Sequence, residues 1–259
     1  MIAQFALRLM CGMSLMWCVM PRHEVTAGFF RIQMLVVLGL SVLAALTSGQ
    51  LAAVENAVMS AQTGMIICGI TAFVAYAGSV FWMLNRRPGG NVCVFLIAAA
   101  STLVLLARTH TGSFANGADF VQPLSELASS IILGAAMVGM LLGHWYLTAP
   151  TMSIAPLSKL NLFFGASAIL RLIASVAGLA FAWEATVGSP KWTTFHSVWL
   201  SLRWIGGVIG PIVLAVMVWR ILKYRNTQSA TGILFVGVIL TFIGEMTATL
   251  LYGEWRLPL

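Results

Sequence analysis

Charge is what this chain has least of. Only 8% of its 259 residues are charged and only seven are acidic, against 60% hydrophobic, whereas soluble domains carry roughly a quarter charged residues. That deficit excludes a water-soluble globular fold. Long polar stretches are missing as well: the longest connection between apolar runs, Thr109 to Ser125, reads as a loop broken by Gly112, Gly117 and Pro123 with Asp119 exposed, so no soluble domain fits. The four cysteines, Cys11, Cys18, Cys68 and Cys93, fall inside apolar runs and form no C-x-x-C pair. This argues against a disulfide framework or a zinc site and for packing thiols. Lysine is absent from mid-helix positions, because Lys159, Lys191 and Lys223 stand at helix ends or in loops, which removes a retinal Schiff base. A phosphate loop, a nucleophile elbow and a metal-ligand cluster are also missing, so nothing marks an enzyme acting alone.

What is present is a series of apolar runs, each near the roughly 20 residues that cross a bilayer. They cover residues 2–20, 29–51, 65–84, 91–108, 127–147, 161–183, 195–220 and 230–252. The expected fold is all-α: a polytopic membrane protein of about eight transmembrane helices, one integral domain over 1–259. The net charge of +7 is spread over short loops rather than gathered on one water-facing surface, so it does not indicate nucleic-acid binding. It reports topology instead. Connections after the first, third, fifth and seventh helices carry Arg22, Arg31, Arg86, Arg87, Lys159, Arg220, Lys223 and Arg225, against Arg108, Lys191 and Arg256 on the other side. The bias puts both termini outside the cytoplasm and suits a multi-pass protein of the cell inner (cytoplasmic) membrane. Glu55, Asp119, Glu126, Glu184 and Glu254 then fall on the outer side and Glu24 on the inner. Trp17, Trp82, Trp145 and Trp219 mark the inner boundary, and Trp183, Trp192, Trp199 and Trp255 the outer.

The first helix lacks a basic leader and a small-residue cleavage site and carries Arg8 in its middle, so it reads as retained rather than as a signal peptide. No repeated motif relates the two halves, as an inverted-repeat transporter would favour. Gly139-x-x-x-Gly143 and Gly206-x-x-x-Gly210 predict close helix packing. Gly206-Gly207-Val-Ile-Gly210-Pro211 also predicts a kink.

Glu245 lies in the apolar run Ala230 to Tyr252 with no basic residue in the same segment. A carboxylate at membrane depth costs about 2.5–3.5 kcal/mol on insertion scales and marks a functional site by default. Arg8, Arg171 and Arg203 are the arginines at membrane depth. At 1.5 Å per residue, Glu245, Arg203 and Arg8 all fall in the outer half. The last two helices are joined by a short turn, so Arg203 is the expected partner of Glu245, while Arg171 has no partner by this reckoning. The bland reading is an ion pair that fixes helix register. The functional one is an outer-leaflet pocket of Arg203, Glu245, His196 and Arg8 that handles a proton or holds a quinone-like carbonyl, with Glu245 as proton acceptor. Three arginines against one glutamate leave surplus positive charge, which favours an anionic or electron-rich partner: a lipid headgroup, a quinone or a second subunit.

The histidines divide by side, His23 and His144 near the inner face and His110 and His196 near the outer. One pair per side is the minimum for two bis-histidine b haems, yet no helix carries two histidines a membrane width apart. His144 reads as a buried or interfacial hydrogen-bonded histidine, or as a cytoplasmic-side point of proton uptake.

The segment Gly244-Glu245-Met-Thr-Ala-Thr-Leu-Leu-Tyr252 resembles the Gly-Glu and aromatic ending of the final helix in membrane anchors of the dimethyl sulfoxide reductase and polysulfide reductase type. The likeness covers about nine residues plus the topology of about eight helices with both termini outside. It departs where those anchors carry an arginine, a place occupied here by Thr249. The resemblance implies an integral subunit of a respiratory or other redox complex that holds partner subunits on the membrane and exchanges electrons with quinone. The alternatives are a small-solute or proton transporter with a polar path from His144 to Glu245, a haem b protein, and a structural scaffold.

Overall fold

A computed structural model of the protein describes residues 2–48, 59–109, 118–149, 151–186 and 194–255. Within them lie eight helical spans long and apolar enough to cross a membrane. The helices are α1 (Ile2–Val19), α2 (Ala27–Thr47), α3 (Ala61–Met83), α4 (Arg87–Thr109), α5 (Ala118–Thr148), α6 (Ala155–Thr186), α7 (Thr194–Trp204), α8 (Gly210–Leu222) and α9 (Thr227–Trp255). The seventh span combines α7 and α8 around a π turn, Ile205–Ile209. Glu55, His110, Lys191, Trp192 and Arg256 lie outside the described residues, as do the side chains of Arg108, Asp119, Trp183, Glu184, Glu254 and Trp255.

Most helices begin a few residues before the apolar run that reveals them, because their first turns are polar. Ser60 caps α3 by accepting from the Thr63 N–H at 3.1 Å, a bond that satisfies one of the free amides of a helix start. The largest difference is at α5. The expected loop up to Ser125 is wrong: the helix begins at Ala118 and contains Pro123. So close to a helix start, a proline forfeits one hydrogen bond and disturbs a single upstream turn. The consequence is that Ser125 and Glu126 are buried helical residues rather than loop residues.

Helix α5 is the centre of the bundle, packed on α1, α4, α6 and α9. Its buried face, with Ile132, Leu133, Ala136, Val138 and Leu142, meets Met10, Met13 and Trp17 of α1 and Phe164 of α6 in one core. The opposite pattern appears on α3, where Ile66, Ile70, Phe73 and Tyr76 are exposed at helical spacing, a face suited to lipid rather than water. Contacts between Gln4 and Glu126, Arg8 and Thr249, and Gln122 and Tyr252 bring the start of α1 and the end of α9 together. We call this the terminal end. The short α1–α2, α3–α4, α5–α6 and α8–α9 connections form the other, hairpin end.

Since apolar association gains little in lipid, close packing and polar contacts hold spans together. Two glycine pairs permit the closest approaches. A Cβ on Gly134 would stand 2.0 Å from the Gly12 carbonyl carbon, and one on Gly12 only 1.7 Å from Ser130 O. A Cβ on Gly244 would stand 2.1 Å from the Gly207 Cα. Of the expected small-residue motifs, Gly143 packs against Thr231, with its Cβ point 2.5 Å from Oγ1, and Gly210 against Leu240 at 2.8 Å, while Gly139 and Gly206 make ordinary or looser contacts. The interruption expected at Gly206 to Pro211 takes the form of the π turn, in which the Gly210 N–H reaches back five residues to Ile205 O.

Two turns at the hairpin end hold non-glycine residues in the left-handed region, Asn85 at φ 56° and Arg225 at φ 55°. Asparagine tolerates this; arginine has no local compensation. Arg225→Gly is expected to raise stability by about 1 kcal/mol in unfolding titrations in mixed micelles. Gly134→Ala is expected to lower it by about 3 kcal/mol or more through forced separation of α1 and α5; wild-type stability in that variant would refute the contact.

Candidate functional site

Five charged side chains from five helices meet about two turns below the terminal end. Glu245 of α9 is at their centre and is 1% exposed. Its Oε1 accepts from Arg171 Nε at 2.9 Å and from Arg203 Nη1 at 3.0 Å, and its Oε2 accepts from Arg171 Nη2 at 3.1 Å. Arg8 Nη1 lies 3.8 Å from the same Oε2. The Arg203–Glu245 pair therefore forms on neighbouring spans. The separate position expected for Arg171 is overturned, because this residue supplies the two-pronged partner.

A second carboxylate, missed in the sequence, completes the group. Glu126 Oε2 accepts from Arg8 Nε at 2.6 Å, and its Oε1 accepts from Arg8 Nη2 at 2.5 Å and from Gln4 Nε2 at 2.9 Å. The charge balance among the described residues is thus three guanidiniums to two carboxylates rather than three to one. Its signal in the sequence was the step from Ser125-Glu126 straight into the apolar run, without any turn residue between them.

Small hydroxyl groups fill the remaining positions. Arg171 Nη1 donates to the Ser125 hydroxyl and, at 3.4 Å, to Ser125 O. Arg203 Nη2 donates to Ser175 Oγ at 3.3 Å, and Ser175 lies one turn beyond Arg171 on α6. On α9, one turn beyond Glu245, Thr249 Oγ1 accepts from Arg8 Nη1 at 3.1 Å and donates to Glu245 O at 2.8 Å. Thr249 thus ties the Arg8 guanidinium of α1 to the α9 backbone.

The glycines explain how these groups reach one another. The Gly207 position sits against Gly244 and 2.8 Å from Arg203 Nη1 at its Cβ point, so a side chain there would displace the guanidinium from Glu245. Arg203 and Trp204 are the last two residues before the π turn. The Arg203 Nε and the Trp204 Nε1 are buried and have no hydrogen-bond acceptor among the described residues.

The remaining residues named by the sequence stand apart. His196 is half-buried near the start of α7 with Phe195 edge-on at 6.4 Å, two turns from Arg203 along the same span. His144 is exposed on α5, which removes the buried state of the two expected for it. The α5 stretch between it and Glu126 is largely apolar and buried, with Ile132, Leu133 and Val138 at 0% exposure, which gives a polar path from His144 no support. His23 is exposed beside Glu24, with 3.5 Å between Nε2 and Oε1, so neither inner-side histidine turns an imidazole into the bundle. No metal-binding group of three occurs among the described residues.

No protein family, curated protein or solved structure matches the chain.

Removing one member of a buried ion pair strands its partner and costs about 3–5 kcal/mol. Arg171→Met is expected to lower stability by that amount. Arg203→Met should cost less, since Glu245 keeps its two-pronged partner. Equal losses in unfolding titrations would show that the two guanidiniums share the carboxylate evenly.

Proposed function

We propose that this chain is the integral membrane subunit of a respiratory or other redox complex, and that a quinone or quinol oxygen docks at Arg203. The observation that carries the reading is the Arg203 guanidinium. It is 0% exposed, committed to Glu245 through Nη1 and Ser175 through Nη2, and has an Nε–H without an acceptor among the described residues. A carbonyl oxygen is a neutral acceptor that such a donor would hold at low desolvation cost. The indole N–H of Trp204, also buried without a partner, adds a second donor in the same stretch of the seventh span. A π turn follows both, a local geometry that recurs at functional sites. The likeness of Gly244 to Tyr252 to the reductase anchors supports the same reading.

In this arrangement Glu245 holds the guanidiniums in place, because both its oxygens are already engaged. Glu126 holds the Arg8 guanidinium in the same way, with both of its oxygens engaged, and meets half-buried Gln4 on the way to the terminal end. The basic residues of the hairpin end favour placing that end in the cytoplasm and both termini outside it, which puts the buried site in the outer-leaflet half of the cell inner membrane. In this reading the soluble catalytic and electron-carrying parts belong to partner subunits.

Protein extracted from its native membrane in mild detergent is expected to carry about one quinone per chain. Arg203→Gln should lose it while keeping its helical content by circular dichroism. Full quinone retention in that variant would sink the reading. Mass spectrometry of the same extract should show the partner subunits.

A further inference from the structure

A second concentration of unpartnered polar atoms lies at the hairpin end of α1–α4, away from the charge network. Trp17 Nε1, Glu24 Oε2, Gln33 Oε1, Trp82 Nε1 and Asn91 Oδ1 are shielded from solvent and have no hydrogen-bond partner among the described residues. The side chains of Trp17, Gln33 and Trp82 are among the most buried in the protein, at 0%, 1% and 2% exposure. Donors and acceptors of this kind are costly to leave unmet, and these five come from five consecutive segments of the chain.

Contacts made by their neighbours bring the residues that carry them to the same end of the bundle. Trp82 stacks on Phe30 at 4.5 Å, and Gln33 follows on the next turn of α2. The Trp82 Nε1 faces the first turn of α4, 2.7 Å from the point where a Cβ on Gly90 would stand, and Asn91 is the next residue. One turn further, Phe95 carries the Arg22 guanidinium 4.8 Å from its ring centre. Arg22 in turn donates to Trp17 O at 3.2 Å. Arg87, at the start of α4, donates to His23 O at 3.3 Å, next to Glu24.

The site offers two kinds of chemistry side by side. Two indole N–H donors, Arg22, Arg87 and the start of α4 suit phosphate oxygens. The free oxygens of Glu24, Gln33 and Asn91 suit a cation that can donate hydrogen bonds. All lie within about two helical turns of the spans' ends, the level at which headgroups meet hydrocarbon. We propose that the hairpin end of α1–α4 binds the headgroup of an aminophospholipid, with its phosphate toward Arg22, Arg87 and Trp82 and its primary ammonium toward Glu24. A choline headgroup cannot donate to those oxygens, a glycerol headgroup brings no positive charge, and a serine headgroup adds a carboxylate that Glu24 repels, so the site selects ethanolamine.

The test is native mass spectrometry of the full chain in mild detergent with phosphatidylethanolamine, phosphatidylcholine or phosphatidylglycerol added in turn. Wild-type protein should retain phosphatidylethanolamine at least about tenfold better than the other two. Glu24→Gln should abolish that preference, and Trp82→Phe, which keeps the stacking ring, should weaken retention of all three. Inorganic phosphate should not compete. Absence of any retained phospholipid, equal retention of the three by the wild type, unchanged behaviour of both variants, or displacement by inorganic phosphate would each overturn the proposal. Quinone content does not enter this measurement, so the result stands apart from the Arg203 site.

Discussion

The shared carboxylate of Glu245 is the interaction on which the rest of the terminal end depends. Two guanidiniums approach it from α6 and the seventh span, a third lies just beyond contact from α1, and all are shut off from solvent. In a low-dielectric interior each of these charges is tolerable only in the presence of the others. The network therefore fixes the rotation of every helix that contributes to it. Apolar packing in lipid cannot do this, because rotating a helix there merely exchanges one apolar contact for another.

The glycine contacts and the π turn serve the same constraint. Gly207 and Gly244 bring two backbones into contact one turn or less from Arg203 and Glu245. The π turn then lets the seventh span continue past Pro211 without losing that approach. Close backbone contact and short ion-pair distances are in this sense a single feature.

Much of this architecture could be read from the residues, and the failures have physical causes. Hydropathy located every span, because each needs a continuous apolar stretch that nothing else in the chain resembles. It misplaced the starts of helices, where polar first turns carry no hydropathy signal, and at α5 this error hid Glu126. Counting depth from the helix ends put Arg203 beside Glu245 correctly, since a short turn makes those spans neighbours. The same counting could not find the partner of Arg171. Which non-consecutive helices touch is decided by side-chain packing and by pairs such as Gly12 with Gly134, and neither is encoded in a local pattern.

The long separation along the chain between members of the network bears on how the protein is made. Arg8 is synthesised well before its partners: the carboxylate of Glu126 comes 118 residues later, and the threonine 241 residues later. The first span therefore enters the bilayer with a bare guanidinium. Until α5 follows, it must stay shallow, snorkelling toward the headgroups or sheltered by the insertion machinery. Final depth and tilt of the first helix are thus set late in synthesis, by segments that the ribosome has not yet produced when that helix leaves it.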